Sequence, residues 1–388
     1  MDFRFTEKEE ALRKEVREYL QSEAKLMADV RRETESGLGF GPRTKEFLRK
    51  VGAKGWLTPS WPREYGGLGG SYIERYIVAE EIARLGGPPS PVGISMAGPT
   101  ILLFGHEEQK RAFLPKIARG EVEFALGYTE PQHGSDLASL EMRAVKDGDD
   151  YIINGQKVFN TACHYADYHW VGARTDPNAP KHRGISLFIV DLKSPGITIR
   201  PLIGMSGMRT NEVFYDDVRV PRSRLVGEEN RGWYYIATAL DFERTWVVGI
   251  TMSFFEEFLK YLRETKRNGQ PLAKDPVIRQ RVGELATRIE VVRLFGVRIA
   301  CILNKGTVPN YQAAMVKVFG SEVEHELAST WLQILDLYGQ LEVGADFTPL
   351  NGRIGHWHLE TIRGLITRGT SEIMRNIIAL RGLGLPAG

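Results

Sequence analysis

Hydrophobic residues recur with the period of an α-helix in the first and last thirds of the chain, and in short strand-like runs between them. Thr6 and Glu9 form a capping-box pattern ahead of the first helical stripe. Helical periodicity returns over residues 76–85 and 107–121. The pattern predicts an all-α domain over residues 1–120.

The pattern changes near Glu123, where short apolar runs alternate with turn residues. An Asn154–Gly155 step stands between two such runs, which is typical of a β-hairpin. We therefore expect an antiparallel β domain, a barrel or a sandwich, over residues 121–228.

Helical periodicity returns after residue 230 in longer segments. Residues 277–303 and 311–335 each carry a broad apolar stripe, which predicts two long helices. We expect a four-helix-bundle domain over residues 229–388 and a multidomain α+β fold overall. This order of elements alone does not identify a function.

Composition narrows the class of protein. The chain has 388 residues, which is too many for one compact core, with 42% apolar residues, 26% charged residues and a net charge of +2. That balance gives no reason to expect nucleic acid or an anionic membrane as a partner. The charged N-terminus does not resemble a signal peptide and no long apolar run occurs, so we expect a cytoplasmic protein. Neither Cys163 nor Cys301 lies in a disulfide or metal-binding pattern, and no metal is expected.

A polar loop at the predicted helix-to-β boundary is the first candidate for chemistry. Residues 126–139 place Thr129, Gly134 and Ser135 close together, so hydroxyl and N–H groups could bind the polar edge of a ligand. The loop matches neither a P-loop nor a Gly-x-Gly-x-x-Gly motif. An ordinary polar turn is the alternative.

Phe159 and Thr161 form the second candidate. They are two residues apart on a predicted strand, so their side chains would share one face and could cover a flat heterocycle. The alternative is a core phenylalanine beside an exposed threonine.

The third candidate is the Gly-Thr-Ser-Glu turn before a C-terminal helix. Thr370 and Glu372 could bond a ligand at the helix N-terminus. The alternative is simple N-capping of that helix by Thr370 or Ser371.

Together these loops resemble the acyl-CoA dehydrogenase family, over essentially the whole chain. YTEPQHGSD (128–136) is similar to the family's first flavin loop, and NGQKVFNTA (154–162) to its second. NEVFYDDVRVPRSRLVGEENRGW (211–233) resembles the strand that leads into the C-terminal helices, and RGTSEIMRNIIALRGLGLP (368–386) the C-terminal flavin turn.

The resemblance implies FAD as cofactor and assigns a role to each matching position. It places five residues along the flavin ring and the start of the pantetheine channel, where Ser135 also contacts substrate: Leu126, Tyr128, Thr129, Gly134 and Ser135. It places Phe159 against one face of the ring and Thr161 at its edge. It assigns the ribityl–pyrophosphate to Thr370 and Glu372.

The catalytic base is where the chain departs from the common family pattern. Many members carry a glutamate directly before the Gly-Thr-Ser turn, but here the residue is Arg368, which stays protonated and cannot act as a base. A subset of the family carries the base in a motif like Leu-Asp-x-x-Arg on a C-terminal helix. ALDFERTWVV (239–248) resembles it, and the match assigns Glu243 as base, with Asp241 and Arg244 contacting the substrate.

The environment of Glu243 decides between two interpretations. Its neighbours Leu240, Phe242, Trp246 and Val247 are apolar, so we expect partial burial and a raised pKa. A solvated helix acid paired with Arg244 is the alternative. For Arg368, the resemblance implies a backbone N–H to the thioester oxygen, and its guanidinium could bind a carboxylate at the far end of the substrate.

Two stretches that family members lend to a neighbouring subunit's FAD are altered. Thr265 and Asn268 replace an Arg and a Phe in the first, and Asp336 and Gln340 replace a Gln and a Gly in the second. The chain would then be the catalytic subunit of an α2β2 heterotetramer. The alternative is a homotetramer that binds the phosphates through other residues, such as Lys266 or Arg267.

The resemblance implies desaturation of an acyl-CoA to a trans-2-enoyl-CoA, with an electron-transfer flavoprotein as electron acceptor. An acyl-CoA oxidase and a non-catalytic subunit that binds acyl-CoA and FAD are the alternatives. The sequence leaves the acyl group open among straight-chain, branched, alicyclic, dicarboxylic and sterol side-chain thioesters.

Overall fold

A computed structural model describes residues 4–37, 40–243 and 248–386. The chain divides into two compact units. The first comprises Met1–Met27, Tyr72–Gly87 and Arg244–Gly388, and the second comprises Ala28–Ser71 and Pro88–Glu243.

The elements follow the predicted order of helices, strands and helices. The helices are α1 Glu7–Ser22, α2 Ala24–Glu35, α3 Pro42–Ala53, α4 Tyr72–Arg84, α5 Gly98–Phe104, α6 Glu107–Ala118, α7 Gly232–Glu243, α8 Gly249–Glu264, α9 Pro276–Asn304, α10 Tyr311–Leu335, α11 Arg353–Ile366 and α12 Ser371–Ile377. The strands are β1 Phe124–Gly127, β2 Arg143–Asp147, β3 Asp150–Lys157, β4 Tyr168–Arg174, β5 Ile185–Asp191, β6 Ile197–Ile203, β7 Arg209–Pro221, β8 Lys266–Arg267 and β9 Gln270–Pro271.

Helix α1 belongs to the first unit and begins at the predicted capping box. The Glu9 N–H donates to Thr6 Oγ1 at 3.3 Å, and the Thr6 N–H donates to Glu9 Oε2 at 2.7 Å. Arg17 then forms two hydrogen bonds, of 2.8 and 2.7 Å, to the carboxylate of Glu81 on α4, which is 1% exposed. This bidentate pair fixes α1 against α4.

The two long helices predicted near the C-terminus are confirmed as α9 and α10. Helix α10 packs against α8, α9, α11 and α12 in the first unit. Its Lys317 is fully buried and donates to the Leu365 carbonyl at 3.1 Å, which satisfies one of the last carbonyls of α11.

None of the helices in the described ranges is both long enough and apolar enough to span a bilayer.

The second unit is built on one seven-stranded sheet. Strands β2, β3, β7 and β6 are neighbours in that order and pair antiparallel, as do β4 and β5. Strand β1 pairs with β4 in parallel. Tyr151 and Ile153 alternate with more exposed neighbours along β3 and enter the core. Helix α7 packs on β5 and α5.

The hairpin predicted at Asn154–Gly155 is wrong in position. Asp147 pairs with Asp150, so the turn between β2 and β3 is the two-residue step Gly148–Asp149, with Gly148 at φ 61°. Gly155 instead lies inside β3 at a β-bulge. The side chain of Asn154 stabilises the bulge, because it accepts from the Asp217 N–H at 2.8 Å and donates to the Asp217 carboxylate at 2.9 Å.

A buried acid lies at the start of β1. Glu123 is 7% exposed, and its carboxyl group accepts from the Gly93 N–H at 3.4 Å. Burial is the main cause that raises the pKa of Glu123 to about 8, and the nearby Asp167 carboxylate acts in the same direction. The carboxyl group of Glu123 is therefore mostly protonated in the folded chain at neutral pH.

We predict that Glu123→Gln removes a pH-dependent loss of stability. Between the ordinary glutamate pKa of 4.5 and about 8, the folded chain holds a proton that the unfolded chain has released. Stability therefore falls as pH rises through this window, by roughly 4 kcal/mol for the natural chain relative to the variant. Urea unfolding between about pH 5 and 9 measures it.

Glu121→Gln is the matched control, because Glu121 is an exposed acid two residues away that pairs with Arg119. Parallel pH profiles for the natural chain and Glu123→Gln would contradict the prediction.

Candidate functional site

Strand β1 and the loop that follows it carry five of the predicted flavin residues, all in the second unit. Leu126 and Thr129 are half-buried, and Gly134 and Ser135 are exposed. The Tyr128 side chain points into the core, where it is 3% exposed and its hydroxyl accepts from Trp170 Nε1 at 2.9 Å. Tyr128 therefore presents only its main chain to a ligand.

The predicted strand through Phe159 and Thr161 is wrong. Strand β3 ends at Lys157, Phe159 has a φ of 61°, and the Thr161 N–H donates to the Phe159 carbonyl at 3.1 Å in a tight turn. Asn160 imposes this turn, because its N–H donates to the Asn211 carbonyl at 2.9 Å and its carbonyl accepts from Asn211 Nδ2 at 2.8 Å.

Phe159 is held outward in this turn. Its side chain is 63% exposed, so the alternative of a core phenylalanine is also wrong. A bulky residue with positive φ and an exposed ring is a strained, outward-facing arrangement, of the kind that clusters at binding sites.

The fold brings the two loops together. The Val158 N–H donates to the Thr129 carbonyl at 2.9 Å, and Asn160 Nδ2 donates to the Leu126 carbonyl at 2.7 Å. The candidate residues on the two loops therefore form one group, although about thirty positions of sequence separate them.

Two buried polar residues, Lys157 and Glu130, lie on the interior side of this group. Neither was selected in the sequence analysis. Lys157 is fully buried, and its ammonium group lies 2.8 Å from Glu130 Oε1. A lysine at the inward end of a β run is the sequence signal that could have found it.

The C-terminal turn forms the second group, in the first unit. Arg368 and Gly369 have φ of 61° and 89° and reverse the chain before α12. Thr370 Oγ1 accepts from the Ile373 N–H at 3.2 Å, so Thr370 does cap the helix. Glu372 is exposed, and hydrogen bonds from its own N–H and from Thr370 hold the pKa of its carboxylate below the usual value.

Arg368 lies beside an acid of α10. Burial raises the pKa of Glu324, while the positive charge of Arg368 and a hydrogen bond from Trp357 oppose that rise. The charge of Arg368 is therefore partly balanced within its own unit.

Helix α7 carries the predicted base region. Asp241 is 9% exposed, and Glu243 is the last residue of the helix. The side chain of Glu243 and the whole of Arg244 lie outside the described part of the chain.

The two stretches expected to serve a neighbouring subunit lie side by side in the first unit. Arg267 donates to the Ile334 carbonyl at 3.0 Å, just before the stretch that begins at Asp336. Thr265 is half-buried, whereas Lys266, Asn268 and Gln340 are exposed.

The residues present fit a flat, polar cofactor such as FAD. In the first group, the side-chain oxygen of Asn160 is buried and has no hydrogen-bond partner among the described residues. In the second group the same is true of Ser371 Oγ, which borders a cavity of about 510 Å³ together with Thr370 and Glu372. Both groups therefore offer polar atoms that a ligand would satisfy.

Three family models match the chain. The acyl-CoA dehydrogenase N-terminal domain matches residues 6–121, the middle domain residues 125–218 and the C-terminal domain residues 230–383. Together these matches cover most of the chain.

Individual relatives match over their whole length. The chain is 36% identical to the acyl-CoA dehydrogenase FadE26 of Mycobacterium tuberculosis, over 100% of this chain and 99% of the relative. It superposes on the solved Tcur3481-Tcur3483 steroid ACAD with a TM-score of 0.91 at 35% identity, and on the ChsE4-ChsE5 complex from Mycobacterium tuberculosis with a TM-score of 0.89 at 36% identity. Both superpositions cover 100% of both chains. The chain therefore belongs to the acyl-CoA dehydrogenase family, FAD-dependent oxidoreductases that act on the CH–CH bond of acyl-CoA thioesters.

Proposed function

We propose that this chain is the catalytic subunit of an acyl-CoA dehydrogenase and that Glu243 is its base. The observation that carries the proposal is a paired change. Arg368 occupies the position where many members carry the base, while the motif around Glu243 supplies a carboxylate at the alternative position.

The sequence around Glu243 supports this role, because its neighbours Leu240, Phe242, Trp246 and Val247 are apolar. Apolar surroundings raise the pKa of a carboxyl group, which suits a general base that works near neutral pH.

The chain's own residues would then prepare the substrate for proton loss. Glu243 takes the α-proton of the thioester, and the backbone N–H of Arg368 stabilises the negative charge that develops on the thioester oxygen. Asp241, Arg244 and Ser135 bind the acyl-CoA. Bound FAD would supply the acceptor for the hydride that leaves the β-carbon.

Both groups of flavin residues are part of the proposal. Phe159 covers one face of the ring and Thr161 bonds its edge, beside the loop formed by Leu126, Tyr128, Thr129, Gly134 and Ser135. The exposure and strain of Phe159 support its role. Thr370 and Glu372 bind the ribityl–pyrophosphate, next to the cavity that Ser371 lines.

An α2β2 assembly with a sister chain is the proposed oligomer. The segment that begins at Asp336 exposes large apolar side chains, among them Leu337, which is 73% exposed, and Phe347, which is 90% exposed. Large exposed apolar residues in one segment favour burial by a partner. The similar ChsE4-ChsE5 structure is itself a complex of two named chains.

Several finer features are proposed on the family pattern. Electrons pass to an electron-transfer flavoprotein, the protein acts in the cytoplasm, and the domains are residues 1–120, 121–228 and 229–388. Steroid side-chain thioesters head the candidate substrates because one similar structure is described as a steroid ACAD.

Phe159→Ala tests the proposed flavin contact. Loss of the aromatic face weakens FAD binding about tenfold. The unfolding free energy of the flavin-free protein changes by about 0.5 kcal/mol or less, because the ring is exposed. Fluorescence titration with FAD and urea unfolding measure the two effects.

Val145→Ala is the control, since Val145 is 61% exposed on β2 of the same sheet. Equal FAD affinities for the natural chain and Phe159→Ala would contradict the role of the ring.

Glu243→Gln tests the proposed base. The variant keeps its FAD but reduces it with acyl-CoA roughly 10²–10⁴-fold more slowly, because the α-proton has no acceptor. Anaerobic stopped-flow absorbance measures the rate, and Glu264→Gln, an exposed acid on α8, serves as control. A normal rate in Glu243→Gln would exclude Glu243 as the base, and no reduction by the natural chain would favour a non-catalytic subunit.

The FAD content of the purified chain tests the proposed heterotetramer. The chain purified alone binds less than one FAD per subunit, and co-expression with a sister chain restores full occupancy in a heterotetramer. Absorbance spectra and light scattering measure both quantities. A homotetramer of this chain alone with one FAD per subunit would contradict the heteromer and favour phosphate binding by Lys266 or Arg267.

A further inference from the structure

Lys157 and Glu130 form a buried ion pair next to the two loops proposed to bind flavin. The two side chains are 0% and 6% exposed. Burying two charges costs free energy that their mutual attraction often does not recover, so such a pair is weak evidence for stability. It lies directly behind the two flavin loops, since Glu130 follows Thr129 and Lys157 precedes Val158.

The pair remains charged at neutral pH. Burial lowers the pKa of Lys157 to about 8, with Glu130 opposing that shift. Burial alone would raise the pKa of Glu130, but Lys157 and the N–H groups of Glu141 and Met142 hold it below the usual value. Those N–H groups donate to the carboxylate at 2.6 and 3.0 Å, which ties the pair to the entry of β2.

A third contact of Lys157 sets the direction of one peptide group. Its ammonium group also donates to the Tyr128 carbonyl at 3.1 Å. In a trans peptide the C=O and N–H bonds point in opposite directions, so the N–H of Thr129 points away from Lys157. Within the described part of the chain this N–H forms no hydrogen bond.

The other side of Thr129 is fixed as well. Its carbonyl accepts from the Val158 N–H at 2.9 Å, and Val158 is followed by the exposed ring of Phe159. The Thr129 N–H is therefore a preorganised donor between two fixed carbonyls, on the loop beside that ring.

We propose that Lys157 is a positioning residue for the flavin, which holds the Tyr128 carbonyl so that the Thr129 N–H donates to the edge of the flavin ring. Glu130 keeps Lys157 in place and charged. The inference deepens the proposed flavin role of Thr129 and rests on it.

Lys157→Met tests the proposal, since methionine has a similar length but neither charge nor donor. Because this change leaves Glu130 buried without its partner, the decisive variant is Lys157→Met with Glu130→Gln, which buries no unpaired charge. Lys146→Met, an exposed lysine on β2, is the control. Each holoenzyme is examined by the visible spectrum of its flavin, by FAD release on dilution and by thermal unfolding.

The expected result is a folded double variant with a shifted flavin spectrum and FAD binding weakened about tenfold, beside an unchanged control. An unchanged spectrum in the folded double variant would overturn the proposal, whether or not its stability and FAD affinity fall together. None of these readouts needs turnover, so a failure of Glu243 as base would leave this result standing.

Discussion

The direction of the Tyr128–Thr129 peptide is the constraint on which the proposed flavin-binding face of the second unit depends. This peptide lies in a loop, beyond the end of β1, so the sheet does not orient it. Lys157 holds the Tyr128 carbonyl from the interior, and the Val158 N–H holds the next carbonyl from the neighbouring loop. With both carbonyls fixed, the loop presents its remaining donors without the flexibility that an irregular segment would otherwise have.

A buried lysine also holds a main-chain carbonyl near the C-terminal turn. Lys317 is fully buried in α10 and donates to the Leu365 carbonyl at 3.1 Å, just before the chain reverses at Arg368. In each unit, a lysine on a regular element fixes a main-chain carbonyl next to the residues assigned to FAD. Regular elements thus support both irregular segments through charge-assisted hydrogen bonds, as a proposed ligand-binding segment requires.

The sequence predicts the order of elements well because helical periodicity and capping are local signals. The capping box at Thr6 and the helices α9 and α10 follow directly from those patterns. The hairpin position and the conformation of Phe159 depend on long-range partners instead. Asp217 stabilises the bulge at Gly155, and Asn211 holds the turn at Asn160, although each partner is about fifty or more residues away in sequence. The sequence does not predict the contacts of Lys157 and Glu130 either, because no local pattern shows that a lysine side chain will bond a carbonyl from a distant part of the chain.

The central claim is that this chain desaturates an acyl-CoA with its own bound FAD. The most direct test mixes the flavin-loaded protein, without oxygen, with a panel of saturated acyl-CoA thioesters and follows the visible flavin absorbance. The account predicts that at least one thioester bleaches the flavin and yields one trans-2-enoyl-CoA for each FAD reduced. A flavin that no thioester bleaches, with the sister chain present as well as absent, would contradict it.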